Sequence, residues 1–487
     1  MSTQADNKRW WALAVIALAQ FIVIMDTSII GVALPDIRAD LDFTPGDLTW
    51  VFNAYVVAFG GLLLLGGRLS DLLGAKRVFT AGWAVLAAGS LLAGLADSSG
   101  VEIAARAVQG VGAALIAPSA LTLLMMLFGN NPKELVKALS IYGAAAPAGG
   151  TAGVFLGGVI TEWASWPWVF YINIPVALLA LVLTPRLMPD VPARRGSVDV
   201  FGALTVTAGL GLGVFGIVRA PEVGWGSTET LLALAGAVVL LAGFVFSQAK
   251  VREPLMRLSI LRTPNLGAAN VAQLLLGAAW IPMWFFLNLY LQQVLGYGAF
   301  EGGAALLPMT ATILVLMVFV APRVMAKVGA KPMVIGGLLL LAAGLVGLSL
   351  ARPDGSFAVD VLPASLVAAT GMALAFIPSL GTAISSARPE EGGLASGIVN
   401  TGYQVGSALG LAAMTALASS QGADQLGDVV ALTDGYSAAF LGAAGIAVIG
   451  GLIAAVTLRR PPAAEEAAPE ESVETEAADE ETELVAA

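Results

Sequence analysis

The sequence predicts an all-α polytopic membrane protein of fourteen spans, arranged as two similar six-helix bundles with two further helices inserted between them. Three observations predict it. Only 12% of the 487 residues are charged, about half the share in a soluble domain, and the mean hydropathy is +0.85. Apolar runs of the ~20 residues that a helix needs to cross a bilayer recur along the chain. Finally, a short charged, glycine-bearing hairpin, Gly67 to Arg77, returns 255 positions later as Pro322 to Lys331, each copy lying between two apolar runs.

The spans follow in order. After Lys8-Arg9-Trp10-Trp11 an apolar run extends to Leu34. It is too long for a signal-peptide core and leads into more spans, so it reads as an uncleaved first helix with aromatic anchors at the membrane interface. Further runs fall near 48–66, 78–96, 102–128, 138–160, 167–185, 199–219, 229–249, 265–290, 302–320, 333–350, 361–385, 393–418 and 436–458. With fourteen spans and a cytoplasmic start, both termini lie inside. Of the 24 Lys and Arg, twenty then fall in cytoplasmic segments, Arg38, Arg219 and Arg352 fall outside, and Arg106 lies within a span. That bias is what the positive-inside rule demands of a cell-membrane protein.

The repeat also shows in glycines. Gly149, Gly153 and Gly157 stand every fourth residue in the fifth span, and Gly402, Gly406 and Gly410 do so in the thirteenth, 253 positions on. Spans 1–6 therefore correspond to spans 9–14. The expected organisation is an N-terminal bundle over 1–185, two inserted helices with linkers over 186–264, a C-terminal bundle over 265–458 and an acidic cytoplasmic tail over 459–487. Ten acids and no base lie beyond Arg460, which accounts for the whole net charge of −10. Such an Ala-, Glu- and Pro-rich segment is expected to be disordered, either as a solvated spacer or as a regulatory or partner-binding arm.

Composition narrows the chemistry. The chain has no cysteine and no histidine, so thiol catalysis, disulfides and Cys/His metal sites are excluded, and any proton carrier must be a carboxylate. No Gly-Lys-Ser/Thr is present, so there is no P-loop. Gly110-x-Gly112 and the Gly209–Gly213 row lie inside spans and do not read as dinucleotide sites. No cofactor, metal or nucleic-acid partner is expected, and no enzyme constellation is visible.

The hairpin residues Gly67, Leu69, Asp71, Gly74, Lys76 and Arg77 resemble the signature loop of the major facilitator superfamily, with Ala75 where a basic residue is usual. That resemblance implies a major facilitator fold, a small-molecule substrate carried across the bilayer by alternating access, and activity as a monomer. Asp71 is either a helix cap or loop ion pair, or, by the resemblance, part of a charge latch between the halves; the second hairpin has Ala326 in its place. Gly149, Gly153, Gly157 and Gly158 resemble the fifth-helix motif of drug–proton antiporters, with Val154 at the usual proline. Their other reading is close helix packing in lipid. Trp166-Pro167-Trp168-Val169-Phe170-x-x-Asn173-x-Pro175 resembles the start of helix 6 in this family.

Two ionisable residues stand inside apolar runs, Asp26 and Arg106. A charge at a helix centre costs about 2.5–3.5 kcal/mol on insertion scales, so neither is expected to face lipid. Counted from the expected helix ends, both fall in one polar layer of the outer half. Asp26 is either a structural ion pair or the proton site. Asp26 with Leu34-Pro35, and Arg106 with Gln109 and Gly110, resemble the first- and fourth-helix motifs of the fourteen-span drug–proton antiporters. The resemblance implies proton-coupled export of a small amphipathic compound, with Asp26 and Arg106 in proton transfer. The rivals are a proton-coupled uptake symporter and, remotely, a membrane enzyme or receptor. Candidate substrate contacts are Gln109, Asn270, Gln273, Asn288, Asn400, Tyr403 and Gln404, since lipid offers such groups no partners. Trp280 and Trp284 are either cavity residues or interfacial anchors.

Overall fold

The computed structural model describes residues 3–43, 45–189, 199–251, 254, 257–388, 392–423, 425 and 427–459; the acidic tail lies outside them, except for its first residue, Arg459. Among the described residues all regular structure is helical. The long helices are α1 (Thr3–Asp40), α2 (Pro45–Leu73), α3 (Ala75–Gly94), α4 (Ser99–Phe128), α5 (Pro132–Trp163) and α6 (Trp168–Leu187). They continue with α7 (Val200–Val223), α8 (Thr228–Gln248), α9 (Leu266–Val294), α10 (Phe300–Val328) and α11 (Ala330–Ser349). The last three are α12 (Phe357–Ser386), α13 (Gly392–Ser420) and α14 (Val429–Thr457). Twelve helices among the described residues are long and apolar enough to cross a membrane, all of these but α7 and α13.

The packing repeats. α1 lies along α5 and α9 along α13; α3 lies along α4 and α11 along α12. Glycines explain the first match. A Cβ on Gly149 would strike the Phe21 carbonyl and one on Gly153 would fall 2.7 Å from the Met25 carbonyl. In the second half, Gly406 and Gly410 face the Leu274 and Ala278 carbonyls in the same way, while Gly402 lies against the Asn270 side chain. Without side chains between them, the helix backbones approach closely. α7 and α8 pack on each other, and α7 also packs on α2 and α13. Trp50 and Phe215 stack there at 5.3 Å, and Asp199 caps α7 through Gly202 while accepting a 2.6 Å bond from Gln248 of α8. The outward faces of α7 and α8 are apolar, with Phe201, Leu204, Leu232, Val238 and Val239 exposed, as a lipid-facing surface requires.

Several boundaries differ from the sequence reading. α1 continues six residues past Leu34, to Asp40, because nothing in Asp36–Asp40 breaks the hydrogen-bond ladder before the turn at Asp42, whose φ is 51°. The expected charged hairpin is mostly helix. Gly67 to Leu73 belong to α2, and the chain turns only at Gly74, with φ 91° and ψ 130°; Gly329 does the same between Val328 and Ala330 at φ 80°. Glycine takes this conformation without a Cβ clash, so one residue suffices to join two spans. Asp71 consequently lies in the last turn of a helix and not in a loop.

Candidate functional site

A cluster of buried polar and charged residues gathers between α1, α2, α3, α4 and α6, toward the end of the bundle opposite Gly74. Asp26, Ser90, Glu102, Arg106, Gln109 and Asn173 are all 0% exposed. Arg106 Nη1 donates to Asp26 Oδ2 at 2.6 Å and to Gln109 Oε1 at 2.6 Å, and Arg106 Nε donates to the Val51 carbonyl at 2.8 Å. Asp26 Oδ1 accepts from Gln109 Nε2 at 3.1 Å and from Asn173 Nδ2 at 2.6 Å. Both amides also reach Ser90 Oγ, at 2.8 and 3.3 Å. The carboxylate thus has three donors, and the guanidinium lies 4.7 Å from the Tyr55 ring centre and 5.9 Å from that of Phe170. Charges this deep persist only when paired and hydrogen-bonded.

Local sequence puts each group in place. On α4 the spacing of Arg106 and Gln109 sets them on one face. Gly153 brings α5 against the turn of α1 that holds Asp26. Gly89 and Gly112 let α3 and α4 close up, which carries Ser90 to Gln109. A separate apolar cluster, including Ile30, Ile37, Phe43, Val51, Ala105, Trp166 and Phe170, covers the Trp166 end of this layer. Trp166 is pinned there by a 2.7 Å bond from Nε1 to Asp40 Oδ2.

The other candidates divide. Gly149 and Gly153 sit at the α1–α5 contact; Gly157 and Gly158 are buried further along α5 and accept from Thr161 Oγ1 at 2.7 and 3.3 Å. Lys76 and Arg77 begin α3, next to Gly74, away from the buried layer; Gly67 is buried in α2. Gln273 is committed within the second half, donating to the Phe376 carbonyl at 3.0 Å and Ser379 Oγ at 2.9 Å. Asn400 donates to Ser396 of its own helix, and Asn288 accepts from Gln292. Trp280 is buried among apolar side chains, whereas Trp284 lies against Gly150 of α5, its Cζ2 3.5 Å from where a Cβ would stand. Phe376 lies likewise against Gly143 and packs edge-on to Tyr403, ring centres 5.8 Å apart. Gln404 is half-buried on the same helix as Tyr403, and Asn270 carries a buried Oδ1 with no partner. Phe376 and Tyr403 therefore form an aromatic pair against Gly143 of α5, Trp284 lies further along that helix against Gly150, and Thr151 and Thr310 touch through their hydroxyls beside it.

Sequence reading missed Ser90 and Glu102, and quoted Asn173 without a role. Glu102 had a signal: it stands four residues before Arg106, on the same helix face. Ser90 and Asn173 had none, being ordinary residues in or beside an apolar run.

The chain matches the Major Facilitator Superfamily over residues 16–411. It is 39% identical over 459 residues to the cephamycin export protein of Amycolatopsis lactamdurans, spanning 93% of this chain and 94% of that one. It is 35% identical to the puromycin resistance protein of Streptomyces alboniger, over 93% and 92% of the two chains. Among solved structures, it superposes on a proton:xylose symporter with a TM-score of 0.66 at 15% identity, covering 92% of this chain and 95% of that one. The human organic anion transporter MFSD10 superposes with a TM-score of 0.65 at 17% identity, over 92% and 99%. At these identities the structural matches speak for the fold alone.

Proposed function

The chain belongs to the major facilitator superfamily and is a multi-pass membrane transporter rather than an enzyme, and on that premise we propose that it exports a small amphipathic compound, such as an antibiotic, in exchange for protons. The observation that carries the proton part is the buried Asp26–Arg106 pair with its three donors to one carboxylate. In a chain without histidine, that carboxylate is equipped to take a proton when the cation moves away and to release it when the cation returns. Export is supported by the relatives, whose names describe antibiotic export and resistance. Aromatic side chains packed on α5, Trp284 against Gly150 and the Phe376–Tyr403 pair against Gly143, suit a ring-bearing, partly apolar substrate better than a multiply charged one.

The same reading assigns the finer architecture. α7 and α13 cross the membrane with the twelve other helices, giving the fourteen spans of the drug–proton antiporters: a half of α1–α6, a half of α9–α14, and α7 with α8 between them. Both termini and the Gly74 and Gly329 turns lie on the cytoplasmic side, in keeping with the distribution of Lys and Arg. The glycine rows of α5 and α13 hold each half rigid while the halves rock in alternating access, with Asp71, Lys76 and Arg77 gating the cytoplasmic side. The transporter works as a monomer.

The test is exchange in everted membrane vesicles with an acid interior reported by a pH-sensitive dye. Adding puromycin or a cephamycin should dequench the dye, and Asp26→Asn should abolish that response. Dequenching that survives Asp26→Asn would move the proton site elsewhere. Substrate that instead leaves the vesicle lumen together with protons would replace antiport by symport.

A further inference from the structure

Glu102 is the one fully buried carboxylate of the site that the ion pair does not use. It is 0% exposed, and neither Oε1 nor Oε2 accepts a hydrogen bond. Its place in the first turn of α4 would ordinarily be explained by attraction to the helix N-terminus. That explanation needs the carboxylate to reach first-turn amides or water, and here it reaches neither. One turn deeper, Arg106 has an unpartnered nitrogen of its own, Nη2, beside the Nη1 that holds Asp26.

The charge count then decides the state of the layer. The charged groups that act on Glu102 are Arg106 on its own helix and Asp26 on α1. Three further titratable groups near the layer have partners of their own: Tyr55 of α2 donates to the Val23 carbonyl, Tyr171 of α6 to the Gly94 carbonyl, and Asp40 of α1 accepts from Trp166. Two ionised carboxylates against one guanidinium would leave a net negative charge sealed under the Trp166 cluster. Asp26 has three donors for a charge and Glu102 has none, so the layer is balanced when the proton rests on Glu102.

We propose that Glu102 is a second proton-carrying carboxylate, standing between Arg106 and the Trp166 end of the bundle, and that Arg106 pairs with whichever of Asp26 and Glu102 is ionised. The proposal rests on the proton-coupled reading above and deepens it. On the outward side, Glu102 is the first buried carboxylate a proton meets. The proton leaves a Glu102 oxygen and arrives on an Asp26 oxygen, while the Arg106 guanidinium turns from Asp26 to the newly ionised Glu102. One proton is moved and net charge in the layer is unchanged. The arrangement loads Asp26 without exposing it directly to the outer solution.

Infrared spectroscopy of the purified full-length chain in liposomes at neutral pH reads the site without any substrate. A carboxylic-acid C=O stretching band is expected in the wild type, lost in Glu102→Gln, shifted in frequency in Glu102→Asp, and also lost in Asp26→Asn, where Arg106 is left to pair with an ionised Glu102. A wild type without the band, or a band that Glu102→Gln and Glu102→Asp leave untouched, overturns the proposal. Should Glu102→Gln fail to fold, the Glu102→Asp shift carries the test. Puromycin exchange in everted vesicles separates the two readings. Exchange lost in Asp26→Asn, with exchange and band both unaltered in Glu102→Gln, leaves the antiporter standing and removes the second carrier. A band lost in Glu102→Gln, in a protein that moves no protons against either compound, keeps the site and removes the antiporter.

Discussion

Gly112 of α4 packs on Gly82 and Leu86 of α3, and Gly371 of α12 packs on Gly337 and Leu341 of α11 in the same manner. Aligning the halves on these contacts sets Glu102, Arg106, Gln109 and Ser90 opposite Val361, Ser365, Ala368 and Leu345, all buried. The glycine contacts of α5 and α13 likewise set Asp26 opposite Leu275. One scaffold therefore carries a charged layer in its first half and an almost wholly apolar layer in its second. The second half keeps its charged pair at the edge instead, where Arg352 donates to Asp360 at 2.8 and 3.1 Å with the arginine 59% exposed. There the hydrogen bond from Arg352 to Asp360 holds the guanidinium above its usual range. The difference teaches that helix packing was duplicated while the buried charges were not.

The largest effect should come from breaking the buried pair. Arg106→Ala leaves Asp26 buried and uncompensated, a loss of about 3–5 kcal/mol. Thermal melting of the detergent-solubilised protein should show a marked fall, partly restored by Asp26→Asn in the double variant. An additive double variant would mean that the two side chains do not depend on each other.

A middle effect tests the shared scaffold. Gly153→Leu and Gly406→Leu each force a side chain into a helix–helix backbone contact, at a cost of about 1–3 kcal/mol or more. Both should lower the melting temperature alike. Only Gly153→Leu, which presses on the turn before Asp26, should also weaken proton exchange in vesicles relative to the protein remaining folded. Equal loss of exchange in both would mean that the charged layer is no more sensitive than the apolar one.

The smallest effect is expected at the exposed pair. Arg352→Ala should lower the melting temperature far less than Arg106→Ala, and less still in high salt. A salt-insensitive loss comparable to that of Arg106→Ala would erase the contrast between the halves.

The sequence by itself determined the helical class, the succession of apolar runs, the duplicated hairpin and glycine rows, and the two charges inside spans. These are local properties: crossing a membrane depends on the summed hydropathy of about twenty neighbours, and a misplaced charge stands out against them. Tertiary structure alone decided which partners those charges have. Asp26 meets Arg106, Gln109 and Asn173 across 80, 83 and 147 residues of chain, and no periodicity in one helix encodes those distances. It also decided that Glu102 is sealed under the Trp166 cluster rather than solvated at a helix end, and that Trp284 reaches α5 rather than the membrane interface. Burial of a polar group is a property of everything packed around it, and the local sequence specifies only one side of that enclosure.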